Sequence, residues 1–330
     1  MRPALNRFIF ALLVLFATAS LVKAEWRSDI GVFRIGIVTD VQPSAFRQRS
    51  EPFRRALQDV LNMDVEFFIS KRPESIIDAL SSDRIEYAVL SATSYALAWS
   101  VCECIEPVSS PRSADGTDGY NLVLLSQPNG PADLKGLSGK NIVLLSAEDS
   151  LETIILKTAL EEAGVSLGDI NFTTSDSGET ALSSFIDGQH DALLGWSSLT
   201  GNPSTGYTRG TLHMIARRTD ELATRYPMLW KSDQLPHRVH LVRKKLHGEP
   251  KNLLRNLLAS MFDRNPVAYD SIEPIYGGGF TTSRHSRYKP LIDAIKVLQY
   301  RGSEENVAIP EAPSISQTLR ATENAENPPQ

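Results

Sequence analysis

Short apolar runs and amphipathic stretches alternate along most of this chain. Phe33 to Val38 reads as a strand. Ser50 can cap a helix with Pro52 in its first turn, and Phe53, Ala56, Leu57, Val60 and Leu61 then share one face. Val65 to Ile69 is a second strand, and Pro73 opens a helix that turns Ile76, Ile77 and Leu80 inward. Tyr87 to Leu90 is a third strand, followed by a helix around Tyr95 and a further strand from Ile105 to Val108. This order predicts a mostly parallel sheet.

A second series follows a loop rich in Gly, Asp and Ser over residues 109–119. Asn141 to Leu145 is a strand. Ser150 to Ala163 is a helix with Leu151, Ile154, Ile155, Thr158 and Ala159 toward the core, and Gly164 sits where a helix stop belongs. Ile170 to Thr174, Glu179 to Asp187 and Ala192 to Gly195 read as strand, helix and strand. After a Gly/Ser/Thr/Pro loop, Leu212 to Ala216 and Val239 to Val242 read as two more β-runs, and helices are predicted at Lys251–Phe262 and Tyr288–Gln299.

The two ends differ from this body. Arg2 and Arg7 precede an apolar stretch from Phe8 to Ala17, and Val22-Lys23-Ala24 resembles a small-residue cleavage site. Residues 1–24 are therefore expected to be a cleaved signal peptide, with an uncleaved anchor as the alternative, and the mature chain is expected in the periplasm. From residue 302 the chain is rich in Pro, Glu, Asn, Ser and Ala, the composition of a disordered tail. The net charge of −5 and the lack of a basic patch with interleaved aromatics argue against nucleic acid as a partner.

Little in the sequence points to catalysis. There is no G-x-x-x-x-G-K-[ST] run and no G-x-S-x-G elbow. No catalytic residue, metal site or cofactor is assigned. His237 and His240 fall on a β-run that sends them to opposite faces, so they read as an ordinary polar strand and not as a metal pair. The only cysteines, Cys102 and Cys104, are too close for a relaxed bridge in a regular element; they are expected to be two small buried residues.

The segment with most chemical content is Ser91-Ala92-Thr93-Ser94-Tyr95, where a strand ends in hydroxyls as a helix begins. The first amides of a helix have no partner, and its dipole favours negative charge there. Either Thr93 or Ser94 caps the helix, or these hydroxyls help hold an oxyanion. Asp149 with Glu152, and Asp176 with Glu179, stand three apart at helix starts. They read as capping boxes, the alternative being carboxylates that face an amine of a ligand. Trp196 either stacks on a ligand or packs at its strand end.

Several stretches together resemble the periplasmic substrate-binding proteins of phosphate, phosphite and phosphonate ABC importers. They are Phe33-Arg34-Ile35-Gly36-Ile37, Ile77-Asp78-Ala79-Leu80 with Ile85 to Leu90, Ser91 to Ala96, Asp133 to Lys140, Asp187 to Ala192, and Gly279-Phe280 through Tyr288-Lys289-Pro290-Leu291. The likeness spans roughly residues 30–300 and implies an α/β, type II periplasmic-binding-protein fold. Two α/β lobes with mixed sheets would be joined by two crossover strands, near Tyr120–Leu125 and His237–Leu241, with the ligand cleft between them. Lobe 1 would comprise residues 25–120 and 238–301, and lobe 2 residues 121–237.

By this resemblance, a monomeric receptor hands a small oxyanionic or zwitterionic solute to an inner-membrane ABC permease and its ATPase. The alternative is a periplasmic sensor of the same fold that signals to a membrane histidine kinase. The implied ligand-binding residues are Asp40, Ser91, Thr93, Ser94, Tyr95, Ser146, Asp149, Ser150, Ser177 and Trp196. The chain departs from the family pattern in several places, among them Gly195-Trp196-Ser197 where another acidic residue often follows Asp191. A Ser-Thr-Ser-type run is replaced by Ser146-Ala147-Glu148-Asp149-Ser150, and a His-Glu pair by Gly178-Glu179. Carboxylates where hydroxyls are expected point to a zwitterion with its amine near Asp149, or to a solute less anionic than phosphate.

Overall fold

The computed structural model describes residues 25–145, 150–219 and 223–304. The expected signal peptide, Ser146, Asp149 and residues 305–330 of the expected tail lie outside these residues, whereas residues 302–304, expected to begin the disordered tail, continue the last helix. A short first helix, α1 (Glu25–Ile30), leads into two six-stranded sheets. In the first sheet, β1 (Val32–Val38) pairs in parallel with β2 (Asp64–Ser70) and β3 (Tyr87–Leu90). On the far side of β3 run β11 (Val239–Arg243), β4 (Ile105–Pro111) and the edge strand β12 (Phe280–Thr282), each antiparallel to its neighbour. Three helices connect or flank the first strands, namely α2 (Pro43–Arg49), α3 (Glu51–Leu61) and α4 (Pro73–Ser81). Phe53, Leu57 and Leu61 of α3 are completely buried, as their spacing predicts. From β3 the chain enters α5 (Ala92–Cys102).

The second sheet is built on β5 (Gly119–Ser126), which pairs antiparallel with β8 (Ala192–Ser197), β9 (Met228–Lys231) and β10 (Leu235–Pro236). Beyond β8 lie β6 (Asn141–Leu144) and β7 (Asn171–Thr174), all parallel. Its helices are α6 (Leu151–Glu162), α7 (Gly178–Ile186) and α8 (Thr211–Arg218). The chain crosses between sheets twice, at residues 112–118 and 237–238. It ends with α9 (Gly248–Arg264), α10 (Pro266–Ile272) and α11 (Lys289–Glu304), the last packed on both α5 and α6.

Three local expectations are corrected. Leu212 to Ala216 is helix, not strand, because Thr211, Leu212 and Ile215 bury one helical face. Cys102 and Cys104 are bridged, with Cα atoms 5.0 Å apart. Glu103 between them adopts a left-handed conformation (φ 47°), which supplies the kink that a regular element lacks. His237 and His240 do part company, but neither sits on an ordinary polar strand. His240 is fully buried against Tyr87 and Glu273, and His237 is also buried.

Candidate functional site

A cavity opens where the second sheet meets the crossover segments. Tyr120 and Leu122 of β5 and Leu194, Gly195 and Trp196 of β8 form its floor. Glu152, in the first turn of α6, and Arg209, just before α8, form two sides. His237, at the return crossing, and Ile275 and Tyr276, after α10, close it from the direction of the first sheet. The space left is about 60 Å3, room for a few waters or one small head group.

Backbone constraints fix the aromatic part of this lining. Gly195 lies so close to Thr211 that a Cβ would sit 2.2 Å from its Oγ1. That Oγ1 accepts the Trp196 backbone amide proton at 3.0 Å and so fixes the strand at this residue. Gly210 adopts φ 114° and passes so near β8 that a Cβ would fall 2.4 Å from the Trp196 carbonyl oxygen. Tyr120 meets Trp196 edge-on at 6.1 Å between ring centroids, and Tyr276 lies 4.9 Å from the His237 ring.

The charges around the cavity are unequally satisfied. Arg209 donates to the Ser113 hydroxyl, which also lies 3.2 Å from His237 Nε2. Burial raises the Asp115 carboxyl, but hydrogen bonds from Thr117 and Thr208 and the Arg209 charge hold it below the usual range. Burial, helped by the Arg209 charge, pushes His237 down to about 4, so it is neutral at pH 7. Glu152 is different. It is only 4% exposed, and its carboxylate oxygens are shut off from solvent. Burial lifts it to about 7, opposed weakly by its own backbone N–H and the Ser150 hydroxyl.

Of the sequence-derived candidates, Trp196 borders the cavity. The hydroxyl segment turns inward instead. Ser91, not Thr93 or Ser94, caps α5: its Oγ accepts the Ser94 amide at 3.0 Å and donates to Ser94 Oγ at 2.9 Å. Thr93 is fully buried, with an unpartnered hydroxyl. The Tyr95 hydroxyl lies 2.9 Å from His285 Nδ1, its ring packs 4.2 Å from Tyr288, and burial pushes its phenol far up. Asp40 is exposed beyond β1. Ser150 and Ser177 are the N-caps of α6 and α7, accepting the amides of Thr153 and Thr180.

With Ser177 as the cap of α7, the Asp176–Glu179 capping box does not form, and the Asp149–Glu152 pair lies partly outside the described residues. Glu179 pairs with Arg218, and Glu152 is left to face the cavity. Tyr120, Arg209, His237 and Tyr276 were missed. Tyr120 stands on β5 and the other three on a crossover segment or loops, none of them in a motif, and the one signal among them was the His237–His240 spacing.

Residues 35–288 match a protein family described as periplasmic substrate-binding proteins of phosphonate ABC transporters. Among solved structures, XAC2383 from Xanthomonas citri, solved bound to chloride ion, is 12% identical. The match covers 82% of this chain and 99% of that one, with a TM-score of 0.57. The binding-protein component of an ABC phosphonate transporter from Pseudomonas aeruginosa is 16% identical over 89% of this chain and 95% of that one, with a TM-score of 0.48. At that identity the likeness to the Xanthomonas protein shows a shared fold alone.

Proposed function

Because the chain belongs to the family of periplasmic substrate-binding proteins of phosphonate ABC transporters, we propose that it captures a small oxyanionic or zwitterionic solute between its two lobes and delivers it to an inner-membrane permease with its ATPase. The single observation that supports this reading is the cavity between the second sheet and the crossover segments, which joins a fixed aromatic floor to a few convergent polar groups. Cavities of that makeup suit reversible capture. In this reading the lobes divide as residues 25–120 with 238–301, and 121–237, and the receptor acts as a monomer in the periplasm after its leader is cut.

A thermal-shift screen against phosphate, phosphite, phosphonates, sulfonates and amines tests the proposal. A true ligand at about one hundred times Kd stabilises the folded state by ~2.7 kcal/mol. At least one class should raise the melting temperature, and Trp196→Ala should abolish that rise. A screen in which nothing shifts the wild type would count against a solute receptor.

A further inference from the structure

We propose that Cys102 and Cys104, at the end of α5, form a thiol–disulfide exchange site that takes two electrons from a partner dithiol. This goes beyond solute capture, and neither residue lines the cavity. The two are bridged with Cα atoms 5.0 Å apart and one residue between them. A bridge over so short a loop removes little freedom from the unfolded chain, because that gain grows with the number of residues enclosed. It also holds Glu103 in a left-handed conformation (φ 47°), which a residue with a side chain adopts at a cost. The backbone here has other ties. The Glu103 amide donates to the Trp99 carbonyl at 2.8 Å, and the Lys244 amide to the Cys104 carbonyl at 2.7 Å. The bridge is therefore a weak staple, and the local fold is held without it.

Access and local chemistry both suit exchange. The cysteines are half-buried, and they are flanked by exposed Glu103 and by Val101, which is 59% exposed. The Cys104 amide lies 3.3 Å from Cys102 Sγ, and the Ala98 carbonyl oxygen lies 3.5 Å from the same sulfur. The amide steadies negative charge on that sulfur as the bond breaks, and the carbonyl accepts from the thiol once it is protonated. Cys102 is thus the sulfur that leaves, and Cys104 the one attacked. Lys244 holds its ammonium 3.9 Å over the Trp99 ring, so a cation borders the pair and favours thiolate there. A partner thiolate attacks Cys104 Sγ and forms a mixed disulfide. The Cys102–Cys104 bond breaks with its electron pair on Cys102 Sγ, which takes a proton from water. The partner's second thiolate then attacks the partner sulfur of the mixed disulfide, and Cys104 leaves as a thiolate that is protonated in turn. The chain gains two electrons, and the partner dithiol becomes a disulfide.

Dithiothreitol and glutathione serve as probes, used on the whole chain without denaturant. Dithiothreitol should open the bridge within about tenfold of the rate at which it reduces oxidised glutathione, an unconstrained disulfide. The reduced wild type and C102S/C104S should each melt within about 4 °C of the oxidised protein, the shift of a minor stability term in a chain of this size. Reaction with reduced glutathione, quenched with iodoacetamide and mapped by peptide mass spectrometry, should place glutathione on Cys104 and the alkyl group on Cys102. A bridge that opens only in denaturant would overturn the proposal. So would a larger fall in melting temperature in both the reduced protein and the double variant, because the bridge would then be a structural staple. Glutathione found mainly on Cys102 would overturn the assignment of Cys104 as the attacked sulfur.

Discussion

Two buried side chains show how much a single residue depends on its surroundings. Glu152 has a folded-state value of about 7 against an ordinary 4.5. The folded protein therefore holds a proton that the unfolded chain has released between those values. Stability is unaffected below pH 4.5, declines as pH rises toward 7, and stays lowered above it. The full penalty is on the order of 3 kcal/mol. E152Q should match the wild type near pH 4.5 and exceed it by pH 8, as read from urea unfolding across that range; a constant difference would refute the account. His240 is the contrasting case. Its ring bonds to Tyr87 and, at 2.7 Å, to Glu273, inside the first sheet's core. Burial holds the imidazole below its usual range despite the pull of Glu273. His240→Ala would take from the buried Glu273 carboxylate its 2.7 Å partner and leave it the more distant Arg238, 3.7 Å away, and should cost on the order of 3 kcal/mol. Chemical denaturation showing a loss under about 0.5 kcal/mol, the scale of an ordinary surface change, would contradict this.

Among the elements, β8 and α8 form the most closely fitted pair around the site. Gly195 lets Thr211 approach the strand, and Thr211 in turn accepts the Trp196 amide. Gly195→Ala would force this buried threonine away and should destabilise the protein by about 1–3 kcal/mol, the usual range for overpacking. Because the same shift frees Trp196, ligand affinity should fall together with stability. Thermal melts and calorimetry on one preparation would check the link; lowered stability with unaltered affinity would show that Trp196 does not depend on this contact.

At the scale of the whole molecule, one apolar cluster runs through both sheets. It includes Tyr95 and Ala96 of α5, Ile154 and Leu160 of α6, and Leu291, Ala294 and Ile295 of α11. Helix α11 thus ties the sheets together at the face where α6 meets it. Val297 borders the gap there, across which stand Ile155 and Glu162 of α6. Val297→Glu adds a carboxylate to a gap already lined by Glu162, Asp233 and Asp293 and removes apolar contact, so the lobes should part. Small-angle scattering should record a larger radius of gyration for this variant, reduced again by a verified ligand. An unchanged radius would mean that the α6–α11 contact does not set the spacing of the lobes.

Elements whose signals are local could be read directly from the chain. The strand at Tyr87–Leu90, the buried face of residues 51–61, and the helix ended by Gly164 were all legible, because periodicity and caps act over a few residues. The order of strands and helices, together with scattered family motifs, was enough to indicate the two-sheet architecture. Tertiary structure decided what packing alone controls. Leu212 and Ile215 could suit a strand or a helix until β8 was there to cover them. The Cys102–Cys104 bridge needed Glu103 in a rare conformation that composition does not announce. Ser150 and Glu152 are both polar residues at one helix start, yet one caps the helix and the other faces the cavity. Both are buried, but Glu152 faces Tyr120, Trp196, His237 and Tyr276, and only the folded chain brings these distant residues together around it.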